Sequence, residues 1–410
     1  MERIRVVRII DRLNIGGPSK HVTWLTAGLD SERFETTLIT GVVPPGEGDM
    51  SYFARAAGVE PVVIGEMSRE LGLVDIIVIF KILRELFRLK PHIVHTHKAK
   101  AGAVGRVAAL IYKWLTPSAL RLRPRKLSVV HTYHGHIFHS YYGAAKTRLF
   151  IAIERALARL CADRIIAISE QQRDEICRTY KVGRFEQFMV IPLGIDFDET
   201  RASPGRLRAE IGIRAGETLI GAVGRLCEVK NHALLIESAA ILKNHNARFA
   251  IIGDGNLRAE LEAGAVRAGV DSRVAFTGFR DDAVSLYADF DIAALTSFNE
   301  GTPLALIEAM CCGRAVASTE VGGVVDLMGR RIETLDGFTV WDHGVTAPSR
   351  DVVSFANGLK FLIERPDLRR EMGARGREFV SSRLSKERLI GDIDGLYCDL
   401  IAENWSRRSR

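Results

Sequence analysis

The chain has 410 residues, 47% of them hydrophobic and 26% charged, with a formal net charge of +7. That length exceeds one ordinary domain and points to two, and the composition is that of a soluble globular protein. No apolar run reaches the ~18 residues of a spanning helix, which excludes an integral helical membrane protein.

Met1 leads almost directly into the strand-like I-R-V-V-R-I-I, with no ordered secretory signal. Asn14-Ile15-Gly16-Gly17-Pro18-Ser19 then forms a turn before the helical pattern of His21, Leu25 and Leu29. A strand, a Gly-rich turn and a helix in that order make a site at the carboxyl end of a parallel strand. Further β–α alternation follows: T-T-L-I-T, E-P-V-V-I-G, a helix from about Leu73 to Leu89, H-I-V-H-T-H and a helix beginning near Ala101. Then come L-S-V-V-H-T-Y-H-G-H, a helix around 146–160, R-I-I-A-I-S-E and M-V-I-P-L-G-I-D. The expectation is an open parallel sheet covered by helices on both faces. Glu199 to Gly216 reads as a polar linker into a second such unit. That unit opens with T-L-I-G-A-V-G-R and continues with helices at 231–243, 257–268 and 281–288 among strands, and helices at 351–364, 366–381 and 386–404 end the chain.

The charge is uneven. Through Ile195 the balance is +11 and beyond it −4, and between Glu85 and Glu154 twelve Arg and Lys stand with no acidic residue. A basic first half faces something anionic. No nucleic-acid motif is present, whereas the stretches Lys81–Lys90 and Trp114–Lys126 interleave apolar and basic residues. They fit either a core-packed helix with solvated cations or contact with an anionic lipid surface. The six cysteines (Cys161, Cys177, Cys227, Cys311, Cys312, Cys398) lack paired C-x-x-C spacing. They read as reduced thiols of a cytoplasmic protein, for which a peripheral place on the inner face of the plasma membrane is the option the basic stretches offer.

Eight of the eleven histidines precede residue 140, and His95-Thr96-His97 and His134-Gly135-His136 each end an apolar strand. Strand-spaced H-x-H puts both rings on one face, as a metal site needs. No nearby Asp, Glu or Cys completes a shell in this acid-free region, so the expectation is no metal. In the second half, Gly224-Arg225-Leu226-Cys227-Glu228-Val229-Lys230-Asn231 follows a buried strand. Arg225 offers a planar fork and Lys230 a point charge, a pairing suited to two adjoining phosphates or, alternatively, two solvated cations. From Ser297, S-F-N-E-G-T-P-L-A-L-I-E-A-M-C-C-G places Glu300 before a helix and Glu308 inside it. Thr302 is expected as N-cap, Pro303 as first helical residue and Gly313 as terminator. Free amides at that helix mouth favour an anionic or hydroxyl-rich ligand.

Together these motifs resemble the retaining glycosyltransferases of family 4, most sharply over 218–323. Their E-x7-E signature is matched by Glu300 and Glu308, and their G-R-L-x-x-x-K-N by the Arg225–Lys230 loop. The resemblance implies the GT-B architecture: α/β, two facing Rossmann-like doubly wound domains with a cleft between them. It implies domains at 1–198 and 199–385, and a last helix at 386–410 crossing back to the first. It assigns donor binding to Gly16, Gly17, Arg225, Lys230, Gly253, Asp254, Arg280 (through the backbone of Phe279-Arg280), Glu300, Gly301, Thr302, Pro303, Leu304 and Glu308. Catalytic work falls to Glu300, His134, Arg225 and Lys230, and acceptor contacts to His97 and His136. Lys20 is a helper beside the Gly-rich loop. The implied reaction is metal-independent transfer from a nucleotide sugar, UDP before GDP by family frequency, to a glycan or lipid-linked acceptor in surface polysaccharide synthesis. No cofactor or nucleic acid takes part. The alternatives are an epimerase or phosphorylase on the same paired lobes, or a nucleotide-sugar-binding module without turnover. Asp326 stands where the family usually has Glu, and 328–343 is longer than the family pattern, as an added hairpin would make it.

Overall fold

The computed structural model describes residues 3–44, 47–67, 72–118, 123–134, 144–198 and 205–406. The chain forms two compact units, one of Met1–Gly194 with Lys386–Arg410 and the other of Ile195–Ser385.

The first unit carries strands β1 (Ile4–Ile9), β2 (Phe34–Thr40), β3 (Val62–Val63), β4 (Ile93–His97), β5 (Ser128–Thr132), β6 (Arg164–Ala167) and β7 (Phe188–Val190). Its helices are α1 (Gly17–Gly28), α2 (Ser51–Ala56), α3 (Asp75–Leu89), α4 (Ala99–Trp114), α5 (Ala144–Leu160) and α6 (Glu170–Asp174). The sheet runs β3-β2-β1-β4-β5-β6-β7, every neighbouring pair parallel. Its strands read as apolar runs because both faces are covered. Val7, Ile9, Val94 and Val129 pack on α3 and α4, while Val6, Ile93 and Val130 pack on Leu25 and Leu29 of α1. Each such side chain contributes about 1.5–3 kcal/mol by leaving water. A fully buried ion pair joins α4 to α5: Arg106 Nη2 donates to both Glu154 oxygens at 2.6 and 2.7 Å, and Tyr133 Oη donates to the same carboxylate at 2.5 Å.

The second unit carries strands β8 (Thr218–Val223), β9 (Ala247–Ile252), β10 (Val274–Gly278), β11 (Ile292–Leu295), β12 (Ala315–Thr319), β13 (Arg331–Leu335), β14 (Phe338–Trp341) and β15 (Gly344–Ala347). Its helices are α7 (Arg206–Glu210), α8 (His232–Ile241), α9 (Arg258–Arg267), α10 (Ala283–Leu286), α11 (Leu304–Cys311), α12 (Val352–Ile363) and α13 (Pro366–Arg383). The strand order is β10-β9-β8-β11-β12-β15-β14-β13. It is parallel up to β15 and ends in antiparallel pairs β15-β14 and β14-β13. Residues 328–343 thus hold a hairpin that widens the sheet at one edge. Asp336 and Gly337, at φ 42° and 84°, make its two-residue turn, the conformation for which Asp-Gly is suited.

The stretch read as a linker is in part structure of the second unit. Leu207 is fully buried, and the Asp289 carboxylate accepts from the amides of Gly205 and Leu207, the latter at 2.7 Å. A buried carboxylate tying down two amides fixes the start of α7, which a local polar composition does not reveal. The last helix, α14 (Lys386–Ser406), lays Leu389, Ile393, Leu396 and Tyr397 on the Val6 face of the first sheet. All six cysteines are free. Among the described residues no helix is long and apolar enough to cross a membrane.

Candidate active site

In each unit the order of the parallel strands reverses once, between β1 and β4 in the first and between β8 and β11 in the second. Loops leaving the carboxyl ends on the two sides of such a reversal diverge and open a crevice.

In the second unit those loops hold 224–231 and 296–303. The first rests on the G-D-G turn after β9. A Cβ on Gly253, at φ 140°, would lie 2.0 Å from the Gly224 carbonyl oxygen, and one on Gly255 would lie 2.4 Å from that of Leu226. Only glycine permits this approach. The Leu226 amide donates to the Asp254 carbonyl at 3.0 Å, and the Asp254 side chain accepts from the Gly255 amide at 2.7 Å. Gly253 and Asp254 therefore shape the loop that presents Arg225. That guanidinium is exposed and has no ion pair among the described residues.

Lys230 ends the same loop, and its Nζ donates to Glu300 Oε1 at 2.6 Å. Ser297 Oγ donates to the same oxygen at 2.6 Å, and Thr319 Oγ1 holds the Ser297 carbonyl at 2.6 Å. Thr296 Oγ1 donates to the Lys230 carbonyl at 2.9 Å, and the Phe298 amide to that of Val229 at 2.8 Å. Two loops from neighbouring strands are thereby laced together, with the Lys230–Glu300 pair at their meeting point.

The helix start differs from expectation by one position. Pro303, at ψ 105°, is still extended and occupies the N-cap place, so Leu304 is the first helical residue and Thr302 caps nothing. Proline's ring fixes φ but leaves ψ free, and here ψ stays outside the helical range. The missing Pro303 N–H costs nothing in either place, and the amides of the next residues remain at the helix mouth. Gly301 is pinned through its carbonyl, which accepts from the Gly323 amide at 2.8 Å. Gly313, at φ 69°, ends α11: its amide reaches Met310 O at 2.9 Å and the Arg314 amide reaches Ala309 O at 3.0 Å. Glu308 is half-buried inside the helix. Beside it Tyr287 is fully buried, its phenol pushed well above the ordinary value by burial and then by the Glu308 charge, so it stays protonated. Arg280 has its guanidinium occupied by Glu210 (2.7 and 2.9 Å) and Asp282 (2.8 and 2.9 Å), which raise its pKa. The Arg280 guanidinium is thus committed to structure, while the neighbouring Phe279 side chain is exposed. Asp326 is exposed on the turn after β12.

In the first unit, Gly16 caps α1 at φ 148° and Gly17 begins it. Ser19 Oγ donates to the Asn14 carbonyl at 2.6 Å, and Lys98 Nζ to Asn14 Oδ1 at 2.9 Å, so the Gly-rich turn is held from both sides. The Lys20 ammonium lies over Trp24 and Phe53, 5.9 and 5.8 Å from the ring centres. His95 and His97 share a face, with ring centres 4.2 Å apart. His95 is a satisfied core residue: its Nδ1 meets Tyr397 Oη and its Nε2 meets Thr132 Oγ1, both at 2.7 Å. His97 Nδ1 and His134 Nε2 lie 3.0 Å apart, one donating to the other. His21, which the sequence shows only as part of a helical pattern, brings a third imidazole, its ring centre 4.7 Å from that of His134 and 5.7 Å from that of His97. Burial holds all three neutral, followed by Arg8 for His21 and by the neighbouring imidazoles for His97 and His134; His21 is lowered to about 3. His136 lies outside the described residues.

Comparison with known proteins decides the family. The family model for Glycosyltransferase Family 4 matches residues 15–199, and that for Glycosyl transferases group 1 matches 205–379. The chain is a GT-B glycosyltransferase of the family 4 type. This glycosyltransferase is 26% identical over 381 residues to the UDP-Gal:alpha-D-GlcNAc-diphosphoundecaprenol alpha-1,3-galactosyltransferase of Escherichia coli, covering 91% of each chain. It is 24% identical over 347 residues to the capsular polysaccharide biosynthesis glycosyltransferase CapM of Staphylococcus aureus, covering 82% of this chain and 85% of the relative. Its fold matches that of Anabaena HepE in complex with UDP, with a TM-score of 0.77 at 20% identity over 97% of this chain and 100% of the other. The glycosyltransferase works in glycan assembly, and its two reversal points carry different polar groups: charges in the second unit, neutral imidazoles in the first.

Proposed function

We propose that this glycosyltransferase moves a sugar, with retention of its anomeric configuration and without a metal, from a UDP-sugar to a lipid-linked glycan acceptor. The observation that carries the reading is the free Arg225 fork beside the Lys230–Glu300 pair at the ends of β8 and β11. A departing diphosphate needs cationic donors that are already in place. Lys230 has three N–H bonds and uses one on Glu300, so it reaches a phosphate without releasing the carboxylate. Arg225 takes a second phosphate oxygen pair, and the first amides of α11 add partial positive charge. Glu300, fixed by Lys230 and Ser297, orients the sugar and stabilises positive charge at its reacting carbon. Glu308 receives the ribose hydroxyls. A donor phosphate oxygen takes the acceptor's proton as the acceptor attacks from the leaving-group face. The roles of Gly16, Gly17 and His134 toward the donor, and of His97 and His136 toward the acceptor, belong to the same proposal.

UDP as the nucleotide is supported by the UDP bound to HepE and by the UDP-Gal donor of the Escherichia coli relative, whose acceptor is a diphosphoundecaprenol-linked sugar. A lipid-linked acceptor also fits the start of α3. Leu73, Ile76 and Phe80 are 89, 70 and 67% exposed, with Arg84 and Arg88 further along the helix. That outward face is apolar where a core-packed helix would show charge, and it suits peripheral contact with anionic lipid.

The test is incubation of the chelator-treated enzyme with radiolabelled nucleotide sugars and lipid-linked acceptors. Transfer of label with release of UDP, an unchanged anomeric configuration by NMR and full activity in chelator are expected. An inverted product, or activity that returns only with a divalent ion, overturns the mechanism. Free epimer without transfer replaces it with the epimerase.

A further inference from the structure

The three imidazoles at the β1/β4 reversal are not explained by core packing. A buried neutral imidazole has one donor and one acceptor nitrogen to satisfy, and most buried polar groups find a partner. Among the described residues, both ring nitrogens of His21, Nε2 of His97 and Nδ1 of His134 have none. A buried imidazole with neither nitrogen matched, set against two further rings, marks a place built for something further. One nitrogen from each ring lies within 4.8 Å of the others. Tetrahedral coordination with metal–nitrogen bonds of about 2.0 Å sets nitrogens roughly 3.3 Å apart. His97 Nδ1 and His134 Nε2, which share one proton, are already at 3.0 Å, and on ligation that proton passes to the outer nitrogen of the same ring. His21, with no hydrogen bond among the described residues, would close the remaining distance by a change of its side-chain torsions.

We propose that His21, His97 and His134 form a three-imidazole site for Zn2+, with a fourth position left to a small anion or water.

The chemistry of the surroundings selects the ion. Neutral imidazoles offer lone pairs without first losing a proton, and burial keeps these three neutral. The charges acting on them are cationic: Arg8 and Arg388 on His21, Arg8 on His97 and Lys98 on His134. Arg8 is fully buried and has no carboxylate partner among the described residues. Among the described residues the cluster holds imidazoles and no carboxylate, which does not suit Mg2+ or Ca2+ with their need for several oxygen ligands. An ion bound through strong bonds to nitrogen is favoured instead, and the nearby cations favour chloride or hydroxide as the fourth ligand. The site differs from the expectation of no metal because its third ligand comes from α1, not from the H-x-H strand. It does not rest on the donor reading, since metal uptake needs no nucleotide sugar. Where that reading holds as well, a metal that captures His134 blocks it from the sugar, and Zn2+ inhibits.

The test titrates the full-length, untagged and chelator-stripped protein with Co2+ and then Zn2+. One equivalent of Co2+ with the intense visible absorption of a four-coordinate site, displaced by Zn2+, is expected. His21→Ala and His97→Gln should each weaken binding by more than the roughly 10- to 100-fold typical of second-shell changes, with cooperative melting retained. X-ray absorption at the zinc edge of the wild-type protein gives a readout independent of variant folding, and three imidazoles are expected. A cobalt signal that survives both substitutions, sulfur ligands at zinc, or uptake of inorganic phosphate with no cobalt signal overturns the proposal.

Discussion

The two reversal points have the same strand order and opposite ways of treating polar groups. At β8/β11, Lys230, Glu300, Ser297 and Thr319 form a chain in which every group named has a partner, and Arg225 stands in solvent. At β1/β4, Arg8, His21 and His97 are buried and His134 is half-buried, with nitrogens left unmatched among the described residues. The first arrangement is preorganised: its charges are in position before a ligand arrives, and little reorganisation remains at the moment of reaction. The second is unsatisfied at rest and gains most when something fills it. A shared fold thus supplies the crevice, and the residues at its rim decide whether it holds fixed charges or vacant donors.

The largest effect that sharpens this contrast is on acid stability. A histidine whose pKa is lower folded than unfolded leaves the unfolded chain binding more protons below about pH 6.5, so stability falls as pH drops through that value towards the folded pKa. His21, His95, His97, His131 and His134 in the first unit are all lowered, chiefly by burial, and in the second unit His232 is lowered to about 4. Each such group costs up to about 1.4 kcal/mol per pH unit. Between pH 6.5 and 5, hydrogen exchange should therefore show the first unit losing protection before the second. Equal loss in both would erase the difference drawn here.

Next in size, Lys230→Ala should lower kcat by about 10²-fold if the lysine stabilises the leaving diphosphate. Steady-state kinetics near wild type would remove it from that role. Glu308→Ala should weaken nucleotide-sugar affinity roughly 10-fold, the scale of a hydrogen bond to a charged group, as read by calorimetry. Ser297→Ala removes one neutral donor from Glu300 and should cost about fivefold in kcat, near 1 kcal/mol, with KM for the donor little changed. A larger loss from Ser297→Ala than from Lys230→Ala would mean that the hydroxyl, not the ammonium, fixes the carboxylate.

The parts of the molecule that were legible in the sequence are those set by local pattern. The apolar runs, the Gly-bounded α11 and the extra length at 328–343 all yield their elements, because strand period, glycine conformation and an Asp-Gly turn act within a few residues. Thr302 was misplaced as the cap because ψ of Pro303 is set by its surroundings and not by its ring. Residues 205–216 looked like a linker because the group that anchors them, Asp289, lies far along the chain. His21 was invisible as a ligand for the same reason: its neighbours come from the ends of β4 and β5, brought together only by the sheet. The available signal was an arginine, Arg8, among the apolar residues at the carboxyl end of the first strand, opposite His95. A charge in a strand covered on both faces marks a polar pocket beneath the surface.

The return of α14 to the first sheet has a consequence for synthesis. Residues 195–385 must leave the ribosome before Leu389, Ile393 and Leu396 can reach Val6 and Leu25. At about 5–20 residues per second this interval lasts roughly 10–40 s. Throughout it the nascent first unit shows an uncovered greasy flank, a natural substrate for ribosome-associated chaperones. A stop codon placed just after α13 would make that transient state permanent.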